Sequence, residues 1–268
     1  MALTINYDGW VVLVTGGAKG VGRGVCERFL EAGAIVEFCG RTTPEELPSH
    51  GGREARFTPV NVRDPEAVQS WVDDVVERHG RIDVVVNNVG GSPFGAFEDG
   101  SPGYMQALME VNFFSAAYLT RAVHPVMMAQ EQGGSIVTIT SISARRPSPG
   151  TALYGAAKAA LESLTTSLAV EWAPKIRVNA LSSGLVATES AVDHYGSRDQ
   201  YDKVAATIPR GRMASPEEIG AACVFLASPL SAHITGAVLN IDGGGEWPAF
   251  LSHTPNADFV TRHQGVTP

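Results

Sequence analysis

The chain has 268 residues, 44% of them hydrophobic and 18% charged, with a formal net charge of −8. That apolar share can build a sizeable core and excludes a disordered chain, while the acidic balance argues against nucleic acid or an anionic membrane as partner. Cys26, Cys39 and Cys223 are too few and too scattered for a disulfide framework or a metal site, so no metal is expected and they read as small core residues in a reducing compartment. There is neither a leader pattern nor a run of about 18 apolar residues. The expectation is a soluble, cytoplasmic protein.

In chain order, residues 10–15 form a short apolar run, followed by the glycine-rich stretch from Gly16 to Gly22. Residues 21–32 have helical spacing and stop at Gly33, and a second apolar run covers 35–39. Runs of the same kind recur at 57–62, 83–87, 135–140, 176–181 and 237–241, with helical segments at 65–79, 104–132, 154–173 and 216–227 between them. Pro125 is expected to bend the long helix or end it early. Seven apolar strands alternating with helices predict an α/β chain, one doubly wound domain with a parallel sheet covered on both faces. Residues 1–245 make that domain and 246–268 a tail. With Trp247, Phe250, Leu251 and Phe259 beside three prolines, the tail is either a loose end or an arm packed on its own or a neighbouring subunit.

Two stretches carry chemistry. Thr15-Gly16-x-x-x-Gly20-x-Gly22 sits between a strand and a helix, where backbone amides and a helix N-terminus can receive a pyrophosphate. Tyr154 and Lys158 stand four apart in a helical segment, which puts phenol and ammonium on one face, and Ser141 ends the strand before them. Taken singly, each has an ordinary structural explanation. A tyrosine opening a helix packs, a lysine one turn on is solvated, and a serine after a strand turns the chain.

Together the glycine motif at 15–22, Asn87-Asn88-Val89-Gly90, Asn112, Ser141 thirteen residues before Tyr154, and Tyr-x-x-x-Lys at 154–158 resemble the short-chain dehydrogenase/reductase family. The resemblance continues through Asn179, Gly184 and Thr188 to Asp242-Gly243-Gly244, and covers about residues 8–245. It implies a Rossmann fold, a nicotinamide cofactor, hydride transfer between an alcohol and a carbonyl, and a homotetramer built on the helices carrying Asn112 and Tyr154. Residue by residue it implies Tyr154 as general acid/base, Ser141 polarising the substrate oxygen, Lys158 lowering the phenol pKa and holding the ribose, and Asn112 in a water-mediated proton relay. It places Gly16, Lys19, Gly20, Val21, Gly22, Arg41, Asn61, Val62, Asn88, Val89, Gly90, Gly184, Val186 and Thr188 at the cofactor.

The end of the second strand is Gly40, where an NAD reader would present Asp or Glu, and Arg41 follows with Lys19 in the glycine loop. Two cations and no carboxylate suit the 2′-phosphate of NADP. NAD stays open if Lys19 is solvated and Arg41 pairs with Glu45 or Glu46. Three positions depart from the family pattern: Val89 for the usual Ala, Asn61 for the usual Asp, and Ser183 for a proline, which should loosen the turn near the nicotinamide. Residues 187–213 read as a mobile substrate lid. Arg145 and Arg146 either meet an anionic substrate or form solvated or inter-subunit pairs. Glu37 has no assigned role. The substrate is expected to be a small alcohol or ketone. A retired site that binds dinucleotide without turnover, and enoyl reduction on the same fold, are the competing functions.

Overall fold

The computed structural model describes residues 5–255 and 257–259. The rest of the expected tail, 260–268 with residue 256, lies outside the described residues. The elements in chain order are β1 (Val11–Thr15), α1 (Gly20–Glu31), β2 (Ile35–Gly40), a ribbon of β3 (Ser49–His50) and β4 (Arg53–Glu54), then β5 (Arg56–Pro59), α2 (Pro65–His79) and β6 (Val84–Asn87). They continue with α3 (Pro102–Met109), α4 (Ser115–Ala129), β7 (Gly134–Ser141), α5 (Ala152–Glu171) and β8 (Ile176–Ser183). The chain then forms α6 (Ala191–Tyr195), α7 (Arg198–Ala206), α8 (Pro216–Ala227) and β9 (Val238–Ile241).

Seven strands pair in parallel in the order β5-β2-β1-β6-β7-β8-β9. Side chains on a strand alternate between its two faces, so each buried strand feeds two cores. Val12, Val14, Val36 and Phe38 pack towards α1 and α8 with Phe29, Cys26 and Cys223. Val11, Leu13, Cys39 and Val85 pack towards α2 and α4 with Trp71, Val75, Leu119 and Met127. The chain leaves β1 first to one side and later to the other, so the carboxyl ends of β1 and β6 flank a topological switch point, where open α/β sheets bind ligands.

The expected strands and helices are present with shifted ends, and three local features differ. The β3–β4 ribbon was not expected; its arms are exposed and polar and so lack apolar alternation. The helix expected over 104–132 is two α-helices joined by a π-turn over Glu110–Phe114. The second helix runs through Pro125 to Ala129 instead of ending early. Pro125 is on the exposed face with Arg121 one turn before it, so the carbonyl that loses its partner there can be solvated.

Glu37, on the middle of β2, is fully buried and accepts from Arg78 at 3.2 Å and meets His79 Nε2 at 2.8 Å, both at the end of α2. Its role is structural: it ties that helix to the sheet by burying a charge only where partners exist.

Candidate active site

The end of β1 and the loop after β6 are stitched together by short polar contacts. Thr15 Oγ1 accepts from the main-chain N–H of Asn88 at 2.9 Å and of Val89 at 3.1 Å. Asn88 Nδ2 in turn donates to the carbonyls of Thr15 at 2.9 Å and Gly16 at 3.2 Å. Gly16 has φ +69°, a conformation that favours glycine. A Cβ on Gly22 would stand 2.1 Å from the Gly16 carbonyl oxygen, so only glycine lets the loop fold this closely onto the start of α1.

Beside this loop lies a cleft of about 760 Å³, lined among others by Gly16, Lys19, Arg41, Asn61, Val62, Val89 and Gly90, a size typical of ligand pockets. The expected cofactor residues therefore share one cavity wall, except Gly20, Val21 and Gly22 at the head of α1, Asn88 behind the loop, and Gly184, Val186 and Thr188 after β8. Among the described residues neither Lys19 nor Arg41 enters an ion pair, and the alternative in which Arg41 is neutralised by Glu45 or Glu46 does not form. Arg63, which sequence reasoning missed, also lines the cleft and pairs with Glu110. These features fit a dinucleotide: a glycine loop folded closely onto the head of α1, and cations without an ion pair in the cleft beside it.

The strand end, the π-turn and α5 converge at the other side of Gly90. The Ser141 hydroxyl lies beside the Tyr154 phenol and favours its ionised form. Lys158 is buried, its ammonium 5.7 Å from the Tyr154 ring centroid and donating to the Ile139 carbonyl at 3.0 Å. Burial lowers its pKa to about 8. Burial also raises the Tyr154 pKa, and the Ser141 hydroxyl pulls the other way. Desolvation dominates the phenol in this chain.

Asn112 lies in the π-turn, a feature frequent at functional sites. Its Oδ1 accepts from the Gly91 N–H at 2.8 Å, and its Nδ2 donates to the carbonyls of Gly91 at 2.9 Å and Leu108 at 3.0 Å. These bonds hold the wide turn open and fasten it to the loop after β6. A Cβ on Gly90 would lie 2.8 Å from both Asn112 Oδ1 and Lys158 Nζ, so Asn112, Lys158 and Gly90 form one packed group.

Ser183 closes β8 in register with Ser141 and Ile241 on either side, and its Oγ donates to the Thr140 carbonyl at 3.2 Å. The hydroxyl supplies a bond where the proline would have supplied stiffness. Arg145 pairs with Glu162 and Arg146 with Glu246, pairs made inside the chain rather than across subunits. Gly155 admits the Ser143 carbonyl, which would stand 2.6 Å from a Cβ there.

Sequence reasoning missed Glu189. Both its carboxylate oxygens accept from the Gly20 N–H at 3.1 Å, and the Thr188 methyl would lie 3.2 Å from a Cβ on Gly20. The segment after β8 thus lies on the glycine loop.

A parallel sheet with a glycine loop at its switch point, and a Ser–Tyr–Lys cluster beside it, defines a Rossmann-type nucleotide-binding protein. Residues 16–246 match the family model described as enoyl-(acyl carrier protein) reductase. An L-rhamnose 1-dehydrogenase (NAD(P)(+)) of Sphingomonas is 34% identical over 88% of this chain and 96% of its own. A 3-oxoacyl-acyl-carrier-protein reductase of Chlamydia pneumoniae is 35% identical over 90% and 99%. The ligand-free aldohexose dehydrogenase of Thermoplasma acidophilum superposes with a TM-score of 0.84 at 28% identity, covering 91% of this chain and 96% of that one. The chain belongs to the short-chain dehydrogenase/reductase family, oxidoreductases that use NAD(P).

Proposed function

We propose that this chain is an NADP(H)-dependent alcohol dehydrogenase or ketoreductase. The observation that carries the reading is the grouping of Asn112 and Lys158 on Gly90, with Tyr154 and Ser141 beside Lys158, where Gly90 lines a cleft that also holds Lys19 and Arg41. When bound, the nicotinamide supplies or takes the hydride. Tyr154 Oη gives a proton to the carbonyl oxygen or removes it from the alcohol. Its raised pKa keeps the phenol neutral near pH 7, the form that donates to a carbonyl. Ser141 Oγ hydrogen-bonds the same oxygen and stabilises charge developing there. Lys158, mostly protonated at pH 7 with a pKa of about 8, stands where it can hold the ribose hydroxyls. The Asn112 side chain already makes three bonds, so a relay water falls to its main chain or the second lone pair of Oδ1.

NADP is favoured over NAD because Lys19 and Arg41 stay free of acidic partners in the cleft, and a guanidinium grips a phosphate. Carbonyl chemistry is favoured over enoyl reduction because Ser141, Tyr154 and Lys158 are all present and stand together, Lys158 Nζ 5.7 Å from the Tyr154 ring centroid. A homotetramer through α4 and α5 is supported by the exposure of Phe114 and Val170 at that side. No helix among the described residues is long and apolar enough to cross a membrane, and the three cysteines are free and buried, which suits a cytoplasmic enzyme. We assign residues 1–245 to the catalytic domain and the described part of the tail, 246–255 and 257–259, to an arm on its surface.

Calorimetric titration with NADPH and NADH, on wild type and Arg41→Ala, tests the cofactor. Tighter NADPH binding that collapses in the variant supports the reading; equal or tighter NADH binding moves it to an NAD-linked dehydrogenase. Turnover on L-rhamnose, D-glucose and ethyl acetoacetate tests the reaction. Tyr154→Phe should abolish it, and a variant that kept most of its hydride transfer would overturn the mechanism. Cofactor binding with no turnover on a broad alcohol and ketone panel would leave a dinucleotide-binding sensor.

A further inference from the structure

Ser141 and Tyr154 come from different elements, the end of β7 and the first turn of α5, joined by a ten-residue connection over 142–151. Something must hold the strand end against the helix, because misplacing a reacting group by about 1 Å can reduce turnover by about 100-fold. Three side chains do so in this chain. Thr140, which directly precedes Ser141, donates from Oγ1 to Glu162 Oε1 at 3.0 Å. Arg145, just past the turn that Ser141 caps, donates from Nε to Glu162 Oε2 at 2.9 Å. A second Arg145 nitrogen reaches Asn240 Oδ1 on β9 at 3.2 Å.

Glu162 stands four residues after Lys158 and eight after Tyr154 on α5, so the three share one helix face. Its side chain is only 13% exposed. A carboxylate so placed is stable only with both oxygens partnered, and its partners come from either side of Ser141. The Thr140 carbonyl also receives the Ser183 hydroxyl at 3.2 Å, so Thr140 is held by side chain and main chain at once.

We infer that Glu162, with Thr140 and Arg145, is a positioning residue that clamps the end of β7 to α5 and keeps Ser141 Oγ within hydrogen-bond reach of Tyr154. This rests on the proposed roles of Ser141 and Tyr154. It gives Arg145 a place in the machinery without any contact to substrate.

The groups facing the Tyr154 phenol are Ser141 from β7 and Lys158 from its own helix. The neighbouring Ser141 hydroxyl pulls the phenol pKa down, so loosening the clamp and letting Ser141 drift should let it rise. The test compares wild type, Thr140→Val, Glu162→Leu and Thr140→Ser, with Tyr154→Phe as control. Thr140→Val changes neither charge nor volume much and keeps the test open if Glu162→Leu fails to fold.

The first readout needs no substrate: the ultraviolet tyrosinate band of the nucleotide-free protein across pH, with the Tyr154→Phe trace subtracted. We expect Thr140→Val and Glu162→Leu to move the Tyr154 titration to higher pH and Thr140→Ser to restore it. The second is turnover of ethyl acetoacetate, L-rhamnose or D-glucose with NADPH, where we expect kcat to fall roughly tenfold with little change in KM for the nucleotide. A parental tyrosinate titration in Thr140→Val overturns the inference. So does an unchanged kcat alongside a mere loss of thermal stability. If wild type and Tyr154→Phe turn over equally, the proposed function fails instead, and the spectroscopic arm still decides whether the clamp exists.

Discussion

Gly90 offers a sharp probe of the packed group. Replacing it by alanine adds one carbon, and that carbon would stand 2.8 Å from Asn112 Oδ1 and 2.8 Å from Lys158 Nζ, against an optimal non-bonded separation of about 3.5 Å or more. Neither neighbour yields freely. Lys158 is tied to the Ile139 carbonyl at 3.0 Å and Asn112 to the Gly91 amide at 2.8 Å. Giving up the ammonium bond costs about 1.5–3 kcal/mol and the amide bond about 1 kcal/mol. Overpacking a tight site costs about 1–3 kcal/mol. We therefore expect Gly90→Ala to lose about 2 kcal/mol in urea denaturation of the nucleotide-free protein. Displacement of the lysine should lower turnover by about tenfold or more. An alanine variant with parental stability and turnover would refute the packing argument.

Three further outcomes follow from other contacts. Folding lowers the Lys158 pKa from 10.5 to about 8, a desolvation cost of about 3 kcal/mol at neutral pH. The lost Ile139 bond, which is charge-assisted, offsets about 1.5–3 kcal/mol of it. Lys158→Met should thus be inactive yet about 1 kcal/mol more stable by urea denaturation at neutral pH. In wild type the unfolded chain holds a proton that the folded chain releases between about pH 8 and the ordinary lysine range, so this residue's contribution to stability rises with pH across that window; a variant no more stable at pH 7 would count against the assignment. Glu189 sets its carboxylate on the Gly20 amide at 3.1 Å, where a phosphate would meet like charge. Glu189→Gln should tighten NADPH binding severalfold in calorimetry, and unchanged affinity would show that the two do not compete. Glu37→Leu strands Arg78 and His79, whose side chains are 27% and 21% exposed. Partial solvation should hold the loss to about 1–3 kcal/mol, below the 3–5 of a fully buried pair, as measured by the urea midpoint.

The strands and most helices were legible because burial on both faces writes apolar runs into the chain and glycines mark their ends. The grouping of Tyr154 and Lys158 was legible too, since four-residue spacing on a helix is a local property. What was illegible depended on partners distant in sequence. The π-turn at Asn112 is opened by bonds to Gly91, 21 positions away, while its own sequence reads as ordinary helix. Glu37 looked out of place in a strand until α2 supplied Arg78 and His79 as its partners. Glu189 reaches Gly20 across 169 positions. Arg145 and Glu162 each resemble a solvated surface charge until β7 and α5 are set side by side.

The tail bears on how the region around α6 and α7 moves. The Gly243 carbonyl accepts from the Arg210 N–H at 3.1 Å, and the Trp247 N–H donates to the Thr207 carbonyl at 3.2 Å. Glu246 reaches across to Arg146, in the loop that follows Ser141. The segment expected to open and close over substrate is therefore laced along its trailing edge to the chain that leaves β9. Residues 243–247 thus act as a drawstring behind α7: a load applied to them pulls on Thr207, Arg210 and Arg146 together.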